Sequence, residues 1–211
     1  MLPIEGIMEI EFRGRDAHMD KELTIYDKLA LKFAKVLDEN EVSHVFVSGY
    51  VALIFGRSRT SEDIDMLVKH LSFNEFNALW SSIHASGFYC HNTKDCATAY
   101  NNYLEKKIAI RFSEDGWVIP NVEFKWAVTE QHERALANPF TVHLPGGSLA
   151  ISSLETQIAY KLLLGSDKDV EDARYLFELF RENIDQKLLI DELAYLEISL
   201  QGAKKKLGWQ E

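Results

Sequence analysis

The chain has 211 residues, 46% hydrophobic and 27% charged, with only 4 Pro and 11 Gly. That composition excludes a disordered or fibrous chain, and the length suffices to bury a core without disulfide or metal staples. The 23 Lys+Arg against 33 Asp+Glu give a net charge of −10, which argues against gripping a long duplex by its phosphates while leaving room for a local basic patch.

The segment Met1 to Glu5 lacks a basic region followed by a long apolar one, so no signal peptide is expected. The longest nearly apolar stretch, residues 45–55, is about half of the ~20 residues a membrane span needs, so no membrane partner is expected. Cys90 and Cys96 are too few for a disulfide framework and fit a reducing, cytoplasmic setting.

Residues 4–13 alternate in part and read as an edge strand or an unstructured arm. Over 22–39, Leu23, Tyr26, Leu29, Phe33, Val36 and Leu37 recur at helical spacing and predict an amphipathic helix. Residues 44–47 are a β-rich run that stops at Ser48-Gly49, and 50–56 read as a short buried helix. Residues 63–68 predict a second strand. Ser72 is placed to cap a helix that Gly87 closes. Residues 97–105 are ambiguous. Residues 107–112 and 122–126 alternate as strands, and Glu114-Asp115-Gly116 between them predicts a hairpin. A short helix is expected over 129–137. Pro145-Gly146-Gly147 marks a turn between 140–144 and 149–151. From 153 onward the period is helical, predicting helices near 153–165, 167–183 and 187–207. The fold class is therefore α/β (α+β), with an α/β lobe over 1–151 and a C-terminal helical lobe over 152–211 packed on it.

The chemistry concentrates in residues 45–68. Side chains two apart on a strand share a face, so Asp63 and Asp65 project together while Ile64, Met66 and Val68 bury. Two close carboxylates repel, and a divalent cation between them relieves the repulsion. Mg²⁺ takes a few carboxylate oxygens plus waters and phosphate oxygens, so the pair suits a magnesium-nucleoside triphosphate. Upstream, Ser48-Gly49 sits where a strand gives way to a helix, whose unpaired N–H groups suit phosphate. Gly49 would let the backbone approach closely. Arg57 and Arg59 lie in the loop before the acidic strand, placed to neutralise phosphate. Asp-x-Asp alone is weak, because about 5 acid-x-acid pairs arise by chance in such a composition. The ordered set of strand, Ser-Gly, short helix, arginines and Asp-Ile-Asp is far rarer.

Ser48-Gly49-Tyr50 with Ala52, then Arg59, Ser61 and Asp63-Ile64-Asp65, resembles the signature of the nucleotidyltransferase superfamily with the DNA-polymerase-β-type fold. Lys161, then Lys168-Asp169 and Asp172, resembles the helical lobe of its abortive-infection (AbiEii-like) branch, which includes toxins of toxin–antitoxin pairs. The resemblance covers residues 42–180. It implies a nucleotidyltransferase-type mixed sheet with flanking helices. It implies an NTP substrate and Mg²⁺ or Mn²⁺ held by Asp63 and Asp65, with Glu123 as the third carboxylate and base. Ser48 and Gly49 would touch the triphosphate, Arg59 and Ser61 would support that loop, and Lys161 and Lys168 are further nucleotide-binding candidates. The implied reaction is transfer of NMP to an acceptor hydroxyl on tRNA, protein or a small molecule, with an antitoxin protein as a partner. Two departures stand out: many members carry Gly where Ser48 stands, and Asp is commoner than Glu at 123. These departures motivate a second reading, a non-catalytic nucleotide- or protein-binding module. An antibiotic-modifying nucleotidyltransferase is a further alternative, because an acidic cleft attracts a cationic antibiotic. An antitoxin-like or structural partner is a weaker one.

Plainer readings stand beside these. Asp63 and Asp65 could be a solvated strand end, Glu123 an outward strand residue, and Lys161 a snorkelling helix lysine. Lys168, Asp169, Glu171 and Asp172 could simply open a helix, where acids suit the dipole. Asp169 and Asp172 share a helix face and suit an ion pair between lobes. Cys90-His91 with Cys96 lacks a second pair at zinc-finger spacing and reads as buried thiols. Lys204-Lys205-Lys206 is a basic helix end that could also touch RNA.

Overall fold

The burial parity of its strands organises this chain, for which a computed structural model describes residues 10–209. The part of the expected arm at 4–9, and the segment Met1 to Glu5, lie outside those residues. In chain order the elements are β1 (Ile10–Arg13), β2 (Asp16–Met19), α1 (Ile25–Glu39), β3 (His44–Phe46), α2 (Gly49–Ile54) and β4 (Asp63–Val68). Then come α3 (Phe73–Ala85), β5 (Phe88–Cys90), α4 (Cys96–Thr98), β6 (Ile110–Glu114), β7 (Asn121–Trp126), α5 (Glu130–Ala137), β8 (Phe140–Leu144) and β9 (Gly147–Ile151). The chain ends in α6 (Leu154–Leu164), α7 (Asp167–Leu179), α8 (Gln186–Tyr195) and α9 (Leu200–Leu207). The fold is thus a mixed α/β arrangement, as the sequence implies.

The nine strands among the described residues form one sheet in the order β1-β2-β8-β9-β3-β4-β7-β6-β5. β4 lies parallel to β7 and antiparallel to β3, and β6 returns antiparallel to β7 as the expected hairpin. β8 and β9 form the second expected hairpin. One face of the sheet is apolar: Phe46, Ile64, Met66, Val122, Phe124, Val142, Leu149 and Ile151 join one core with α1, α3 and the C-terminal helices. The opposite face of β4 carries Asp63 and Asp65, with Leu67 in a smaller cluster beneath α5.

Caps fix the helix starts. Thr24 and Asp27 make a capping box on α1, and Ser72 and Glu75 make one on α3 as the Ser72 cap predicts. Asp27 is buried and does more: it accepts the Tyr50 hydroxyl at 3.0 Å and pairs with Lys21 at 3.0 Å. Since Tyr50 is on α2, this pins α2 against α1. Burial, and then the Asp27 charge, push the Tyr50 pKa well up, so the hydroxyl stays a donor.

Three expectations need correction. The helix over 187–207 is two helices, broken where Glu197 takes φ 55 and Ser199 caps α9. α7 stops at Leu179 rather than 183. The strand over 107–112 starts at Ile110, because Lys107 adopts φ 61 after a π turn at Ala99–Tyr103 and a 3-10 turn at Leu104–Lys106. The ambiguity at 97–105 is this change of helical pitch.

Candidate active site

The β4–β7 register assembles the acidic group. Asp65 stands directly opposite Glu123, and Asp63 opposite Asn121. Glu123 in turn faces Arg111 on β6. Facing residues on paired strands share a sheet face, so Arg111, Glu123 and Asp65 form a row across three strands, with Asp63 one step along. Asn121 Nδ2 donates to Asp63 Oδ1 at 2.8 Å and orients it.

Two cations lie among these carboxylates. Arg111 Nη2 donates to Glu123 Oε2 at 2.5 Å, and its Nε lies 3.8 Å from Asp63 Oδ1. Lys125 Nζ lies 3.0 Å from Asp65 Oδ1 and 3.5 Å from Glu123 Oε1. Burial works against the Lys125 ammonium, but Asp65 and Glu123 outweigh it and raise its pKa above the usual lysine value. Three carboxylates against two cations leave one net negative charge. Among the described residues, no three His, Cys, Asp or Glu side chains converge into a ready metal cage. The donors are nonetheless hard oxygens on rigid strands. They fit a Mg²⁺ that keeps waters and phosphate oxygens, better than one enclosed by protein alone.

The turn before α2 is the second part. Ser48 has φ 62 and ψ −129, a conformation suited to glycine that costs a residue with a Cβ about 1–3 kcal/mol. This gives a physical reason for glycine in the resembled signature. The backbone of Ser48 is held on both sides by Gln157 of α6: its N–H donates to Oε1 at 3.2 Å, and its carbonyl accepts from Nε2 at 2.7 Å. Gly49 is required for another neighbour. A Cβ there would lie 2.8 Å from Arg59 Nη2 and 2.9 Å from Arg59 Cζ, so the guanidinium rests on the Gly49 backbone. Arg59 Nε is buried without a hydrogen bond, leaving an unmade donor beside the turn. The observed neighbour of Gly49 is thus Arg59, where the sequence suggested phosphate.

Asp172 ties this loop to the C-terminal helices. It is fully buried and accepts Arg57 Nη1 on one oxygen and Arg59 Nη1 on the other. Lys161 Nζ reaches the same carboxylate at 2.6 Å and Asp169 at 3.2 Å. Arg57 also pairs with Glu171 at 2.8 Å. Lys161 is therefore buried inside an ion network and does not snorkel. Lys168 is exposed on α7, and its carbonyl accepts Arg57 Nη1 at 3.5 Å. Ser61 Oγ donates to the Asp63 carbonyl at 2.9 Å, and the Tyr26 hydroxyl donates to the Ser61 carbonyl at 2.7 Å. These bonds hold the loop against β4 and α1.

A cleft opens beside Asp65 and the Ser48 turn, between α5 and α6. Ser48, Asp65, Lys125, His132, Gln157 and Tyr160 line it, around about 610 Å³ of empty space that is partly open to solvent. Burial, and then the Lys125 charge, lower the His132 pKa, so this ring is neutral near neutral pH. The cysteines take no part. Burial, with Asp95 alongside, pushes the Cys96 thiol up to about 11, and Cys90 is buried and free.

Arg111, Lys125, Asn121 and Gln157 escaped the sequence reading. Lys125 was within reach, since it is two residues after Glu123 on the same strand face. Arg111 required the hairpin register. Gln157 follows Glu155 and Thr156 in the first turn of α6, where nothing local sets it apart.

Among the comparisons with known proteins, a solved structure supports the fold. No family model matches the sequence, and neither does any curated protein. The crystal structure of an antigenic nucleotidyltransferase-like protein from Paracoccidioides brasiliensis is similar at a TM-score of 0.51 and 17% identity, over 85% of this chain and 92% of that one. ANT(2")-Ia in complex with adenylyl-2"-tobramycin is similar at a TM-score of 0.49 and 14% identity, over 79% and 93%. The chain has the nucleotidyltransferase-type fold. No helix among the described residues is long and apolar enough to cross a membrane.

Proposed function

We propose that the chain is a Mg²⁺-dependent nucleotidyltransferase that moves NMP from an NTP to an acceptor hydroxyl. The observation that carries this reading is the Asp63, Asp65 and Glu123 group on paired strands, with Asp65 lining the same cleft as the strained Ser48 turn. Asp63, Asp65 and Glu123 would hold Mg²⁺ or Mn²⁺, which supplies charge neutralisation at the phosphate oxygens. Arg59, resting on Gly49 and held by Asp172, would support the turn that meets the triphosphate. Lys125 leaves the carboxylates for the phosphates as these arrive. Glu123 accepts the proton of the acceptor hydroxyl, whose oxygen attacks the α-phosphorus. The bond from the α-phosphorus to the bridging oxygen breaks, and pyrophosphate leaves. Positioning and charge neutralisation supply most of the rate gain.

We read the setting as cytoplasmic and the branch as AbiEii-like, with a toxin role and an antitoxin partner. The Asp172 network joining Lys161 and Asp169 to the motif arginines supports that branch. The test is incubation with each α-labelled NTP, Mg²⁺ and three acceptor classes: tRNA, protein and small cationic polyols. Label transferred to one class identifies the acceptor; labelled NTP left intact in all arms rejects the enzyme reading.

One observation favours a second reading, a non-catalytic binding module. Arg111 and Lys125 already neutralise most of the carboxylate charge, as a site that has lost its metal would require. Nucleotide bound without pyrophosphate release, and without a metal requirement, would support it.

A further inference from the structure

Ser48 occupies a backbone conformation suited to glycine, and its own side chain makes no cap bond to α2. A single side-chain amide holds it there. Gln157 Oε1 accepts the Ser48 N–H, and Gln157 Nε2 donates to the Ser48 carbonyl, from 109 residues away in the chain. The two backbone groups fix which end of the amide is oxygen. The same Oε1 accepts the Ser152 hydroxyl at 2.9 Å, which locks the side chain from below. Gln157 is 2% exposed, so its amide is largely shielded from water. On the other side of the turn, the Val47 N–H donates to the Asp65 carbonyl at 2.9 Å. The turn is therefore held between the carboxylate strand and helix α6.

We propose that Gln157 is the positioning residue of the nucleotide turn: it imposes the glycine-like backbone on Ser48, so that the turn follows helix α6. Its ligand consequence rests on the nucleotide-binding reading above; the clamp itself does not. Glycine adopts this conformation without strain, so a glycine at this position has less need of the clamp. A residue that only fills space in α6 would show no such dependence on position 48.

The experiment compares wild type, S48G, Q157M and the double variant. Each is melted without ligand, then titrated calorimetrically with Mg-ATP, Mg-CTP, Mg-GTP and Mg-UTP. Methionine keeps the volume of glutamine and removes both hydrogen-bonding ends. Q157M is expected to lower Tm and weaken the best nucleotide about tenfold. With S48G also present, that loss shrinks to under about threefold, because the two positions are coupled. Equal losses from Q157M with and without S48G, in Tm and in affinity, overturn the proposal. If Q157M does not fold, Q157E replaces it. The glutamate keeps the acceptor for the Ser48 N–H and loses the donor to its carbonyl, and rescue by S48G is again expected. If no nucleotide binds wild type, the functional reading fails, and the melting cycle alone decides the clamp by the same criterion.

Discussion

Glu123 stands directly opposite Asp65 across the parallel β4–β7 pair, and Lys125 bonds to both. With Arg111 on the far side of Glu123, the carboxylates carry their own counter-ions. A free divalent cation must displace these; one arriving with a triphosphate offers them new partners. Wild type is therefore expected to bind Mn²⁺ weakly without nucleotide. K125M should tighten that binding about three- to tenfold, since one competing charge is gone. Nucleotide-free Mn²⁺ titration followed by electron paramagnetic resonance checks this; unchanged or weaker binding in K125M contradicts it.

Asp172 is the shared partner of Arg57, Arg59 and Lys161. Removing its charge leaves three cations around a buried amide. D172N is expected to destabilise the fold by about 3–5 kcal/mol, the usual cost of breaking a buried pair from one side. Urea unfolding measures it. A change within experimental error would mean that the network is solvated and the arginines are held by other contacts.

Gly49 tests the same network from the other end. Its missing Cβ is the space in which the Arg59 guanidinium rests, and Asp172 keeps that guanidinium from moving aside. G49A should cost about 1–3 kcal/mol, as overpacking does. In an R59A background the cost should fall below about 1 kcal/mol, because the clashing group is gone. Equal costs in both backgrounds would place the strain in α2 itself.

Acid pH should act through Asp169. Burial alone would raise its pKa, but hydrogen bonds from Ser166 and Lys161, with the Lys161 and Arg59 charges, outweigh it and hold it below the ordinary 3.8. The unfolded chain then binds this proton more tightly than the folded one. The resulting stability is complete above the unfolded value and is lost as pH falls through the lowered folded value. The stability gap between wild type and D169N should stay constant near neutral pH and narrow as pH falls below about 4. Chemical denaturation across pH 2–7 (a range of order five units) checks this; a gap that stays constant to the acid limit contradicts it.

Much of this architecture can be read from local rules. The alternation in β4 and β7 placed Asp63, Asp65 and Glu123 on outward faces, and two turn signals gave both hairpins. What escaped was non-local. β2 and β5 are short strands whose pairing depends on β8 and β6, which local periodicity does not report. The break between α8 and α9 carries no Gly or Pro, and Ser199 was its only cue. Arg111 carries no local signal of a role, and only strand register sets it and Lys125 against the acids. Ser48 departed from the glycine of the resembled signature, and only the tertiary contact with Gln157 shows how the fold tolerates it.

The most direct test of the account is calorimetric titration of the intact chain with the four NTPs, each with and without Mg²⁺, in wild type and D65N. The account predicts one NTP bound with 1:1 stoichiometry, roughly tenfold or more tighter with Mg²⁺ than without. It predicts that D65N abolishes this metal dependence. No nucleotide binding by wild type, or a Mg²⁺ dependence that D65N leaves intact, would contradict it.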